Sequence, residues 1–407
     1  MRVLHIALTD GGGAGMGMMN QHRALRAMGV DSRVLVAVRC SADPAVVQMQ
    51  PNQNIWGGRM LQAMQRGLCR LGVTFNDYDK LHHIIYNVRK RHNVAFDNPF
   101  SQYDVLRHPL VAEADIVNLH YISGFVDIPS FFRGIRKPVV WTMRDESPGL
   151  GGFHYREDKR LFYSHYAALE DLLLDIKRNA VNGCSNMHIV SLSRTMQRFC
   201  NGADFLAQRP NMIIYNAISP DDYVCSSRLK ARGELRLNDD DIIVSFVCCS
   251  LDERRKGLAV ALDALRILDD RRIKLLCVGR ANGSIDVPGV VQLGTVSDSR
   301  RLSAVYSASD LFLNVSSQES FGKTIVEALY CGTPVVSTPV GIAPEIITAR
   351  NGCLCARRTP HAIVHAIRTA LAAQYNSAAI RAAAMEKFAP EKVAAQYASL
   401  YQSILSQ

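Results

Sequence analysis

Short apolar runs and longer stretches of helical spacing alternate from one end of the chain to the other. A parallel strand covered on both faces reads as a near-continuous apolar run. That rule predicts strands at Arg2–Leu8, Ser32–Val38, Ala114–Leu119, Pro138–Thr142, His188–Ser193 and Met212–Tyr215. The second half repeats the pattern at Ile242–Cys249, Lys274–Val278, Val290–Leu293, Leu311–Val315 and from Val335. Apolar residues at helical spacing predict helices after the glycines of Asp10–Gly17, at Arg59–Leu71, from about Asp158 to Asn179, through Leu258, Ala261 and Leu265, and near Ser303–Ser307. One more runs from Phe321 or Gly322 to about Tyr330, with Ser320 as the expected N-cap. Strands alternating with helices in both halves predict an α/β chain of two doubly wound, Rossmann-like domains facing a cleft. The polar stretch Pro220–Asp241 is the expected linker, with domains at 1–219 and 220–385.

Composition narrows the class. The 407 residues leave room for two cores, and 48% hydrophobic with 21% charged residues reads as globular. No apolar stretch reaches the ~18–20 residues of a membrane span, and the N-terminal run leads into glycines, as a first strand does and a signal peptide does not. The 11 cysteines are scattered, without C-x-x-C, which fits reduced thiols in a cytoplasmic protein. Cys353 and Cys355 alternate along a strand, and Asp239–Asp241 is an acidic turn, so no metal site is expected. The net charge is +10, and Met1–Tyr215 holds 25 Lys+Arg against 18 Asp+Glu, a net +7, leaving +3 for the remainder. A basic first half attracts phosphate. With no nucleic-acid module or aromatic-basic interleaving, nucleic acid is not the expected partner. Arg59–Leu71 and the cluster Val88–His92 read as core-facing helix with a solvated basic side, while a peripheral contact with an anionic membrane stays open.

Candidate chemistry concentrates in Asn314–Gly341, which carries Glu319 and Glu327 eight positions apart. A strand ends just before Glu319 and a helix begins just after it, so free N–H groups and the positive end of the helix dipole make an anion site there. Two carboxylates about two turns apart suit the two ends of a sugar nucleotide, because each can accept hydrogen bonds from a vicinal diol. The glycine run Gly11–Gly17 lacks G-x-G-x-x-G, and the second strand ends in Arg39 instead of an acid, which excludes a dinucleotide fingerprint and with it hydride transfer. His120 stands at the carboxyl end of a strand, where open α/β sheets collect ligands.

Glu319, Phe321, Gly322, Glu327, Ala328, Gly332, Pro334, Val335 and Val336 resemble, position by position, the E-x-F-G…EA…G-x-P-V-V donor-site signature of retaining GT-B glycosyltransferases of family 4, the glycosyl transferases group 1. The resemblance implies that Glu319 meets the donor sugar and Glu327 the ribose, with Phe321, Gly322, Lys323 and Thr324 at the donor site. It implies that Lys256 and Arg255 neutralise the leaving diphosphate, that Gly12 and Gly13 lie near the donor phosphates, and that His120 positions the sugar. Asp145 becomes an acceptor contact, and 386–407 a terminal helix returning to the first domain. The chain departs from the pattern at Ser250 for arginine, Arg144 for histidine and Ala217 for glycine; Arg254 or Arg255 stands in for the arginine.

The activity so implied is transfer of a hexose, with retention, from a UDP- or GDP-linked sugar to a hydroxyl acceptor. The expected acceptor is a glycan or lipid-linked intermediate of surface-polysaccharide assembly, with no cofactor and no metal. Two other readings stay open: a non-catalytic GT-B subunit that binds a partner glycosyltransferase, and a sugar-nucleotide epimerase.

Overall fold

The computed structural model describes residues 1–51 and 77–407; the expected helix Arg59–Leu71 lies outside them. The chain divides into two compact units, one of Met1–Ser191, Gln197–Ile213 and Tyr397–Gln407, the other of Leu192–Met196 and Ile214–Gln396.

In the first unit, β1 (Arg2–Thr9), β2 (Asp31–Val38), β3 (Val46–Gln48), β4 (Ile116–Leu119), β5 (Val139–Met143), β6 (Met187–Ser191) and β7 (Asn211–Ile213) form one sheet. The order is β3-β2-β1-β4-β5-β6-β7 and every pairing is parallel. β4, β5 and β6 are buried along their whole length, which is why they read as unbroken apolar runs. The edge strand β3 buries only Val46, too little apolar signal to be read in advance. Helix Asp77–His92 buries Ile85 and Val88, and Arg89 turns to Asp97 and the Phe96 carbonyl. The Val88–His92 cluster is thus the end of a core-facing helix.

In the second unit, β8 (Ile242–Ser250), β9 (Ile273–Arg280), β10 (Val290–Gly294), β11 (Leu311–Asn314), β12 (Val335–Ser337) and β13 (Gly352–Leu354) run in the order β10-β9-β8-β11-β12-β13, again parallel. Helices Leu258–Leu268 and Pro360–Ala372 supply Ala261, Leu265, Ile363 and Ile367 to one core. Helices Lys323–Tyr330 and Ser377–Phe388 supply Ile325, Leu329, Ile380 and Phe388 to another. Each such leucine, isoleucine or phenylalanine contributes roughly 1.5–3 kcal/mol on burial.

Three expectations change. The glycine run is not a loop: the helix starts at Gly12 and takes in Gly13, Gly15 and Gly17. The reason is close approach, since a Cβ on Gly15 would lie 2.6 Å from the Thr9 carbonyl oxygen and 2.5 Å from the Asp10 carbonyl carbon. The helix after Glu319 is capped by Gly322 at φ +89°, not by Ser320, whose carbonyl accepts from Ser193 Oγ at 2.7 Å. The boundary between units falls at Ile213 instead of Ser219, because Ile218 is fully buried in the second core and bonds Phe388 O and Tyr330 Oη at 3.1 and 3.0 Å. Of the terminal helix Pro390–Leu405, only the part from Tyr397 on belongs to the first unit.

Candidate functional site

Strand order reverses direction between β1 and β4 in the first unit and between β8 and β11 in the second. Open parallel sheets bind ligands outside the carboxyl ends of the strands at such points. Lys256 follows β8 and Glu319 follows β11, so the second unit places both on its switch point. Near them lies a small open hollow lined by Val247, Lys256, Asn314, Ser316, Glu319 and Thr324, among others.

Two loops converge there. After β8 the chain makes a short turn at Arg254–Lys256 and reaches Gly257 at φ +83°, which caps helix Leu258–Leu268. A Cβ on Gly257 would sit 2.5 Å from the Val315 carbonyl oxygen, so the turn can lie against the β11 loop only with glycine here. Across that contact, Ser317 N donates to Arg255 O at 2.8 Å. Lys256 Nζ meets Glu319 Oε1 at 2.6 Å, Ser316 Oγ lies 2.8 Å from the same oxygen, and Arg255 Nη1 is 3.4 Å away. Burial alone would raise the Glu319 carboxyl; the two cations and the hydrogen bonds from Lys256 and Ser316 outweigh it and hold the group down at about 2. Arg255 is clamped by Glu253 Oε1 at 2.6 Å and by the Gln318 carbonyl at 2.6 Å, so its guanidinium braces the loop that carries Glu319. Ser250, where the motif has arginine, lies beside Arg280 in the sheet register.

Glu327 is buried and fully engaged. Its Oε1 accepts from Tyr223 Oη at 2.6 Å and Lys323 Nζ at 2.8 Å, and its Oε2 from Tyr306 Oη at 2.9 Å. Phe321 is buried against Phe388, with ring centroids 5.9 Å apart, so its side chain belongs to the core. Neither tyrosine was legible as a site residue: Tyr223 sits in the polar linker stretch, and Tyr306 reads as one more apolar position of a helix.

In the first unit, Gly12 and Gly13 are exposed in the first turn of their helix, with nothing within 4 Å of where a Cβ would lie. His120 is buried and its ring is used on both sides. Arg144 Nη2 donates to Nδ1 at 3.0 Å, so Nε2 carries the proton and donates to His5 Nδ1 at 2.9 Å. Burial, and then the Arg144 charge and His5, keep His120 neutral, well below the usual histidine range. Arg144, which replaces the expected histidine, is therefore what fixes the His120 tautomer. Asp145 is an internal strut: Oδ1 accepts from Ser147 Oγ at 2.7 Å and Oδ2 from His154 Nδ1 at 2.7 Å. His154 also reaches Asp97 Oδ2 at 3.1 Å; burial opposes its charge, but the two carboxylates overcome that and raise it to about 9.

Among the described residues no helix is long and apolar enough to cross a membrane, and no cysteine is paired in a disulfide. Residues 242–373 match the family model described as glycosyl transferases group 1. A GDP-mannose-dependent alpha-(1-6)-phosphatidylinositol dimannoside mannosyltransferase of Mycobacterium tuberculosis is 40% identical over 76 residues, which is 19% of this chain and 20% of that protein. The chain thus spans about a fifth of the length of the curated relatives that match first. Among solved structures, sucrose-phosphate synthase from Thermosynechococcus elongatus superposes with a TM-score of 0.67 at 16% identity, over 100% of both chains. Anabaena Alr3699/HepE, in complex with UDP and glucose, gives 0.65 at 18% identity, over 99% of this chain and 100% of that one. Residues 242–373 are thus similar to the glycosyl transferases group 1 family, and the two parallel-sheet units are those of the GT-B fold.

Proposed function

We propose that the chain is a retaining glycosyltransferase of family 4 that moves a sugar from a nucleoside diphosphate sugar to a hydroxyl acceptor. The observation that carries this reading is the Lys256–Glu319 pair of 2.6 Å at the carboxyl end of the second sheet, beside an open hollow. The relatives favour such a donor: one is named for GDP-mannose and another is bound to UDP-glucose.

In this reading the bond from the anomeric carbon to the diphosphate breaks as the bond to the acceptor oxygen forms on the same face. The acceptor proton passes to the leaving phosphate oxygen. Lys256 stabilises that oxygen as its charge grows, and the amides opening helix Lys323–Tyr330 add to the effect. Glu319, ionised at neutral pH, holds the sugar as positive charge develops on its ring. His120 is neutral and hydrogen-bonded, so it orients the strand end and transfers no proton. A glycan or lipid-linked acceptor, handled at the cytoplasmic face in surface-polysaccharide assembly, fits the basic first half.

The test is the thermal midpoint with UDP, GDP and ADP and their sugars, on the wild type and Glu327→Gln. A ligand at 100 times its Kd adds about 2.7 kcal/mol. A shift with one nucleotide, reduced in the variant, supports the donor site; no shift with any favours a non-catalytic subunit. Release of free sugar epimer without acceptor favours an epimerase. A product of inverted anomeric configuration overturns retention.

A further inference from the structure

Glu327, the carboxylate read above as the ribose contact, already accepts on both oxygens and keeps one of its roughly four accepting sites. Tyr223 and Lys323 occupy Oε1 and Tyr306 occupies Oε2, and the side chain is 6% exposed. Both tyrosines are buried in the same core, Tyr223 4% exposed and Tyr306 fully buried, and they differ in the backbone that carries them. Tyr306 is wholly buried in helix Ser299–Ala308 and packs edge-on against Phe312, with centroids 5.5 Å apart. Tyr223 lies on the irregular segment before helix Arg228–Leu235, its carbonyl held by Arg381 Nη1 at 2.8 Å. Its ring is stacked under the Lys323 ammonium, 5.7 Å from the centroid.

We infer that Tyr223 is an internal competitor for the nucleotide's vicinal diol, and that its hydroxyl must leave Glu327 before a ribose can bind there. The phenol makes to Oε1 the bond that a ribose hydroxyl would make, an O–H donated to an ionised carboxylate. A diol needs two accepting sites on this carboxylate, and the 2.6 Å bond from Tyr223 stands on one of them. Tyr306 bonds the other oxygen from within the core and keeps Glu327 oriented in either state. The binding-competent state is then only a fraction of the free protein, and apparent affinity falls by that fraction. Tyr223 so becomes a residue that tunes donor affinity without touching the sugar. The inference rests on the donor-site reading, and the experiment separates the two.

Titration calorimetry with UDP and GDP, and with their 2′-deoxy and 3′-deoxy forms, is carried out on the wild type, Tyr223→Phe and Tyr306→Phe. Tyr223→Phe keeps the ring and removes the competing hydroxyl; the expected result is ribonucleotide binding roughly tenfold tighter than wild type, the size of one hydrogen bond to a charged group. The gain is confined to the ribonucleotides, so the ratio of ribo to deoxy affinity rises. Tyr306→Phe, which loosens Glu327 without freeing a site, binds more weakly. If wild type binds a nucleotide and Tyr223→Phe binds it equally or less well, the competitor role is overturned while the donor site stands. A gain shared equally by the deoxy forms also overturns it, since the diol is then not what competes. If neither protein binds any nucleotide, the donor-site reading fails and this inference with it.

Discussion

The ammonium of Lys256 lies 2.6 Å from Glu319 Oε1, joining residues 63 positions apart across the loops that follow β8 and β11. The pair is partly buried, with side chains 19% and 14% exposed, and Ser316 and Arg255 complete the environment of the same oxygen. It sets a cation and a carboxylate side by side at the point where the strand order reverses.

Removing one partner exposes the coupling. Lys256→Met is expected to cost roughly 1–3 kcal/mol, because it leaves Glu319 with a weaker set of partners in a partly buried site. Lys256→Met combined with Glu319→Gln is expected to be less destabilised than the sum of the two, as measured by urea unfolding. Strict additivity would mean that the pair is not coupled. In turnover, Lys256→Ala is expected to lose about 10²–10³ in kcat, the usual size for one donor to a developing oxyanion.

Gly257→Ala tests the seating of the Lys256 turn. The new Cβ would meet the Val315 carbonyl oxygen at 2.5 Å, from a backbone at φ +83°. The expected loss is about 1–3 kcal/mol of stability, together with weaker nucleotide binding. A variant as stable as wild type, with unchanged nucleotide affinity, would show that the β8 and β11 loops tolerate separation.

Stability is expected to fall on both sides of neutral pH, for opposite reasons. Burial, reinforced by neighbouring positive groups, holds His5 and His120 well below 6.5, and burial brings His22 down to about 4. Their contribution is complete above pH 6.5 and is lost as pH falls through 6.5 toward 4, since the unfolded chain then binds up to three more protons. His154, raised to about 9 by Asp145 and Asp97 against the opposing burial, behaves the other way. Its contribution is complete below pH 6.5 and is lost as pH rises through 9. Each proton changes the slope by about 1.4 kcal/mol per pH unit, so the acid limb is the steeper. Urea titrations across pH check this, and His154→Asn is expected to flatten the alkaline limb. An alkaline limb unchanged in that variant would rule out the assignment.

Glu170 is a fourth test, on the fold of the loop after β5. Its carboxylate is fully buried and accepts from the amides of Gly151, Gly152 and Phe153 at 2.8, 2.6 and 3.2 Å, with Lys159 at 3.2 Å. Glu170→Ala is expected to cost about 3–5 kcal/mol, by stranding buried donors and a partly buried lysine. Far-UV and near-UV circular dichroism with thermal unfolding measure it, and a loss below 1 kcal/mol, on the order of a surface change, would show that the loop finds other acceptors.

The strands and the donor motif were legible because they are local. A strand buried on both faces must be apolar along its length, and β4, β5 and β6 are. Glu319 was found through its neighbours in sequence, the Phe-Gly after it and the helix that follows. Edges were less legible: β3 buries one valine, and the helix at Gly12 was hidden by glycines that read as loop.

Side-chain partners were decided by tertiary structure alone. The resemblance to the donor-site signature implied a sugar contact for Glu319 and a phosphate contact for Lys256, but only the parallel order of β8 and β11 brings the two within 2.6 Å. Tyr223 and Glu327 are 104 positions apart, and His120 is met by His5 from within β1 and by Arg144 just past the end of β5, the strands on either side of β4. The sequence by itself determined the alternation of strands and helices and the strand-to-helix turn after Glu319, since both follow from local burial and backbone geometry. Which carboxylate is paired, which histidine is neutral and which hydroxyl guards Glu327 depends on contacts made between distant segments, whose energies arise only when folding removes them from water.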